Sequence, residues 1–122
     1  MLREETFDLS AELGFLIRDQ QLRPKPDAKN WKGDVVFNSA YGRLDSLTDT
    51  RFVMLGPKDD PAYGTCSTKS AFVPTVSIGD LAGKSICAFA TGGSVALISV
   101  PDSYDGFGND PIPMTVTVWA GE

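Results

Sequence analysis

Residues 85–100, SICAFATGGSVALISV, decide the fold. Two apolar runs flank Gly92 and Gly93. Adjacent glycines accept the positive φ that tight hairpin turns demand, so 85–91 is expected to pair with 94–100 as an antiparallel hairpin. Downstream, PMTVTVWA (113–120) alternates Met114, Val116 and Val118 against Thr115, Thr117 and Trp119. That is the period of a half-buried strand with a threonine face, expected to pair with 94–100 across the 101–113 connection. Trp119 falls on the threonine face, where a loop is expected to cover it.

Upstream, FDLS (7–10), GFLIR (14–18) and DVVF (34–37) are short apolar runs, with SAEL (10–13) readable as one helical turn. RFVML (51–55) is apolar on both faces, Phe52 and Met54 against Val53 and Leu55, which predicts a central strand. Residues 22–34 and 56–66, each with two prolines, read as loops, and 77–85 as a turn. Short strands separated by Gly/Pro turns predict an all-β fold, a single small antiparallel β-sandwich or partly open β-barrel of about seven to nine strands with little helix. The 122 residues fit one domain, with residues 1–5 expected to be an unstructured or non-native lead-in.

The net charge of −5 makes the chain a poor ligand for nucleic acid, whose non-specific binding rests on phosphate neutralisation. Arg18, Arg23, Lys25, Lys29 and Lys32 form a local basic run, but Asp19 and Asp27 interrupt it and it reads as a solvated loop. No stretch approaches the roughly 18 apolar residues of a membrane span, so no membrane insertion is expected, and MLREETFDLS has no signal-peptide character. The chain contains no histidine, which excludes Ser–His and Cys–His nucleophile pairs and argues against zinc. Cys66 and Cys87 are the only cysteines. From the residues alone they are either a disulfide, pointing to an oxidising compartment, or two buried thiols.

The order of FDLS, GDVVF, LDSLTDTRFVMLG, YGTC, SIGDLAGKSICAFATGGSVALISV and a closing TVTVW resembles a small β domain of actinobacterial secreted, lipid-anchored and membrane-anchored proteins. In that family a late segment reads G-x-x-h-C-h-x-T-x-x-G-x-h-A-x-h-x-V, with h apolar, and an earlier Tyr-x-x-Cys supplies a second cysteine. Gly83, Ile86, Cys87, Ala88, Gly93, Val95, Ala96, Ile98 and Val100 match the late segment, and Tyr63 and Cys66 the earlier one. Two departures stand out: Ala90 replaces the pattern's Thr, and the 101–113 connection is longer than usual. The resemblance implies a β fold, a Cys66–Cys87 disulfide and an extracytoplasmic location. It carries over no catalytic residue.

PDSYDGFGNDPIP (101–113) concentrates Asp102, Asp105, Asn109 and Asp110, oxygen donors of the kind Ca²⁺ prefers. The spacing fails for an EF-hand: with Gly106 at the invariant glycine, Pro101 and Ile112 occupy the positions that need Asp and Glu. An irregular calcium site is one reading, and a long hairpin loop the plainer one; no other cofactor is expected. Asp59–Asp60 and Asp102/Asp105 would be conceivable acid–base pairs, yet both lie in Pro/Gly-rich loops with no cleft in view. Thr91-Gly92-Gly93-Ser94 lacks the lysine and helix of a phosphate loop and reads as a turn. Trp31, Tyr41, Tyr63, Tyr104 and Phe107 fall in predicted loops, where aromatic side chains either cap a sandwich end or anchor a protein or glycan partner. These features favour a non-enzymatic, exported binding or sensor module of unknown ligand. The alternatives are an assembly subunit that oligomerises through a strand edge such as 113–120, and a carbohydrate-binding domain.

Overall fold

The structure, a computed structural model, describes residues 2–10, 12–17, 33–38, 41–48, 50–55, 65–66, 72–77, 79, 81–90, 94–102, 104 and 111–119. They form nine strands: β1 (Leu2–Leu9), β2 (Gly14–Phe15), β3 (Val35–Asn38), β4 (Arg43–Asp45), β5 (Arg51–Met54), β6 (Val76–Ser77), β7 (Ser85–Phe89), β8 (Val95–Ser99) and β9 (Ile112–Trp119). A five-stranded sheet has the order β1-β9-β8-β7-β5 and a four-stranded sheet the order β2-β3-β4-β6. Every pairing is antiparallel, and the sheets do not close into a barrel, so the all-β sandwich is the architecture.

The sheets face each other across one core. Leu9, Phe52, Ile86, Ala88, Ala96, Ile98, Ile112, Met114, Val116 and Val118 come from the five-stranded sheet, and Phe15, Val35, Phe37, Leu44 and Val76 from the other. In β9, Ile112, Met114, Val116 and Val118 are buried and the residues between them half-buried, as the alternation predicts. Each such buried aliphatic side chain contributes roughly 1.5–3 kcal/mol.

The 85–100 hairpin forms with a register one step from the expected one. Ile86 pairs with Ile98 and Ala88 with Ala96, and the Ala90 N–H donates to the Ser94 carbonyl at 2.9 Å. The observed pairing closes at Ala90 and Ser94, where a Gly92-Gly93 turn would pair Ile86 with Ser99. Facing residues share a face of the sheet, and only the observed register sends Ile86, Ala88, Ala96 and Ile98 to the core together.

Three further expectations are corrected. Residues 2–5 are not a loose lead-in: Leu2–Leu9 pairs with Trp119–Ile112 without a break. Glu4, Thr6 and Asp8 disguise the strand because they lie on its exposed face, while Leu9 is buried and Phe7 packs on the core. Residues 51–54 form an edge strand, not a central one. Both faces are apolar because Val53 and Leu55 pack in a second cluster, with Cys66, Cys87, Val95 and Leu97, on the far face of the same sheet. Finally, β9 lies between β1 and β8, so 113–119 offers no edge for assembly.

The crossover from β1 to β2 is a turn closed by the Leu13 N–H on the Ser10 carbonyl at 3.1 Å, with Glu12 left-handed at φ 67°, in place of the expected helical turn. Where 33–34 meets 46–50, Asp34 is buried and accepts from the Ile17 N–H at 2.9 Å, the Thr48 hydroxyl at 2.8 Å and the Thr50 hydroxyl at 3.4 Å. A buried carboxylate holds such a position only when its oxygens are satisfied, and these donors tie three chain segments together.

Candidate binding surface

β3 and β4 form a hairpin in which Asn38 faces Arg43, with Tyr41 and Gly42 in the connecting turn. Gly42 takes φ 62°, a left-handed conformation that a glycine adopts at no steric cost. Side chains two apart on a strand share a face. Arg43 and Asp45 accordingly meet, Nε to Oδ1 at 2.7 Å, and the second oxygen of Asp45 accepts from Asn38 Nδ2 at 2.8 Å. The Arg43 guanidinium lies over the Tyr41 ring, 4.7 Å from its centre. The chain Asn38–Asp45–Arg43–Tyr41 ends on an aromatic side chain that is 72% exposed, with Arg43 at 40% and Asp45 at 14%. Arg43 and Asp45 neutralise each other, so the surface is a braced aromatic with a polar footing and no net charge. Of these four residues, the sequence singles out Tyr41 alone. The Arg-x-Asp spacing is a signal for its supports, but β4, with Leu44 as its one apolar residue, carries no strand period.

On the far face of the five-stranded sheet, Cys66 and Cys87 are joined by a disulfide with Cα atoms 5.6 Å apart, both fully buried. Phe72 stacks edge-on against Phe89 at 4.9 Å, and Trp119 packs on the same cluster. The other half of this face is polar. Thr6 and Thr115 hydroxyls lie 3.0 Å apart, Ser85 and Ser99 3.1 Å, and Thr117 donates to Glu4 at 3.2 Å. A shallow groove of about 280 Å³ runs beside Thr6, Ser99 and Thr115 between Pro101 and Pro113.

The remaining candidates separate. Tyr104 is 5% exposed and belongs to the core, its N–H closing a turn onto the Pro101 carbonyl at 3.2 Å. It anchors the start of the 101–113 connection and is not a ligand-facing tip: the local sequence signals a turn, while the burial of the ring is decided by tertiary packing. Asp102 is exposed and its carboxylate abuts Gly83, at φ 69°. Trp31, Tyr63, Phe107, Asp105, Asn109, Asp110 and the Asp59–Asp60 pair lie outside the described residues. Among the described residues, no group of three or more His, Cys, Asp or Glu side chains is placed to hold a metal ion. No helix among them is long and apolar enough to cross a membrane. Comparison of the chain with known protein families, curated proteins and solved structures found no match.

Proposed function

We propose that this domain is a non-enzymatic, exported binding module that presents Tyr41 to its ligand. The observation that carries the reading is the bracing of an exposed tyrosine by Arg43, Asp45 and Asn38. Tyrosine and arginine are, with tryptophan, the residues enriched where binding energy concentrates. Fixing such a side chain before contact lowers the entropy lost on binding. The disulfide is compatible with an extracellular location, and the resemblance of residues 83–100 to exported actinobacterial domains supports the same placement. The absence of histidine and the bracing of a carboxylate by Arg43 and Asn38 favour recognition over acid–base chemistry.

Position-specific photo-crosslinking tests the reading. A benzoyl-phenylalanine placed at Tyr41 is expected to capture a ligand from the producing cell's envelope fraction, and the same probe at Phe72, also exposed, is not. Capture at Phe72 and none at Tyr41 would overturn the site. A glycan array probed with the wild-type domain and Tyr41→Ala then separates the ligand classes. Glycan binding that Tyr41→Ala abolishes identifies a carbohydrate module, and a blank array assigns the crosslink to a protein.

A further inference from the structure

We propose that the free edge of β1 is a docking site for an extended, lysine- or arginine-rich segment of a partner protein, which joins the five-stranded sheet as an added strand. The proposal rests on β1 and is independent of the Tyr41 surface.

The four sheet edges are unequal. β2 and β6 have two residues each and offer little backbone. The edge of β5 is engaged: Phe52 and Val73 exchange N–H to carbonyl bonds of 2.8 Å in both directions. β1 has eight residues, pairs with β9 on one side and, among the described residues, has no neighbour on the other.

The ladder fixes which β1 groups point outward. In antiparallel sheets, residues alternate between bonding one neighbour and facing the other. Val100 N–H donates to the Lys84 carbonyl and Ala90 N–H to the Ser94 carbonyl, so the even-numbered residues of β7 and β8 bond each other. The odd-numbered ones bond the outer neighbours, as the Leu55 N–H on the Ser85 carbonyl shows. Carried through the registers, the odd-numbered residues of β9 bond β8 and its even-numbered ones bond β1. Pro113 agrees, because it has no N–H and lies beyond Thr115, the last β9 residue paired with β8. Glu5, Phe7 and Leu9 therefore bond β9, and Glu4, Thr6 and Asp8 turn their N–H and carbonyl groups to the open edge. The side chains of those same three residues are exposed.

Charge selects the occupant. A second copy of β1 is a poor one: antiparallel pairing centred on Thr6 sets Glu4 opposite Asp8, and pairing centred on Glu5 sets that carboxylate opposite itself. Like charges directly opposite destabilise a pair. A basic segment places opposite charges at those positions and is drawn toward a chain of net charge −5. Strand addition of this kind takes its affinity from main-chain bonds and its selectivity from alternate side chains. Carboxylates on an edge strand also guard against aggregation, so the test must distinguish an edge that is used from one that is merely protected.

Amide hydrogen exchange on the full chain, followed by NMR, makes that distinction. The probe is a capped peptide of β1's length that alternates lysine with threonine and valine, and its control has glutamate for lysine. At saturation the lysine peptide is expected to slow exchange at the Glu4, Thr6 and Asp8 amides by about tenfold or more, with the glutamate peptide inert. Glu4→Lys/Asp8→Lys is expected to reverse the preference. An N-methylated lysine peptide, equal in charge but stripped of donors, is expected to give no protection on the wild-type chain, which keeps the test sound should the charge-reversed variant fold poorly. No binding of the lysine peptide, binding without protection of these three amides, or equal protection by the N-methylated peptide would each overturn the proposal. Tyr41→Ala is expected to leave the protection unchanged.

Discussion

At the residue scale, exposure and hydrogen bonding assign different roles to side chains that look alike in the sequence. Tyr41 and Tyr104 both sit among turn-forming residues, yet one is 72% exposed and the other 5%. Tyr104→Ala is expected to cost about 3–5 kcal/mol in urea unfolding, the usual loss for a large buried aromatic. Tyr41→Ala is expected to change stability by no more than about 0.5 kcal/mol. Equal costs would contradict the assignment of Tyr104 to the core and Tyr41 to the surface. Asp34→Ala removes the acceptor of the Ile17 amide and the Thr48 and Thr50 hydroxyls and is expected to cost about 2–4 kcal/mol, with Asp34→Asn milder because it keeps one acceptor. Gly83 has two constraints, its φ of 69° and the carboxylate of Asp102 where a Cβ would stand. The Asp102 side chain is exposed and free to swing away, so the backbone should dominate. Gly83→Ala is expected to cost about 1–2 kcal/mol, and adding Asp102→Ala should restore little of it. Full restoration would mean that the contact, not the dihedral, requires glycine.

At the scale of elements, legibility follows how much of a strand's environment is written in its own residues. β7 and β8 were legible as apolar runs flanking Gly92-Gly93, and β9 because one buried face beside a half-exposed one leaves a period of two in the sequence. β4 and β6 were not, since three and two residues with one buried apolar side chain each carry no period. β1 was half legible: Phe7 and Leu9 betrayed its end, while exposed carboxylates hid its start. β5 misled because an edge strand with a covered outer face has the same pattern as a central one. That cover is tied down by the disulfide, which the cysteine count and the resemblance anticipated. The candidate site was legible only as Tyr41; its supports, Arg43, Asp45 and Asn38, become neighbours through the β3–β4 register. A Cys66→Ser/Cys87→Ser chain is expected to lose about 3 kcal/mol, as the chain-entropy argument gives for a loop of this length. It should also expose Val53 and Leu97, read as faster amide exchange in β5 and β8 with little change in β1. Uniform loss of protection across the sheet would show that the bridge holds the whole sandwich, not its outer cover.

At the scale of the molecule, the sandwich divides its surface by chemical character. One outer face is sealed on its β5 side by a disulfide-linked apolar cluster and remains polar on its β1 side. The opposite sheet lifts a braced tyrosine into solvent. The account holds together only if the bridge that closes the first face exists in the folded protein, since the covered β5 and the export reading both depend on it. Alkylation of the native protein without reductant, followed by peptide mapping, tests this directly. The account predicts that neither cysteine is alkylated and that peptides containing Cys66 and Cys87 migrate as one linked species until reductant is added. Alkylation of both cysteines in the folded, unreduced protein would contradict it.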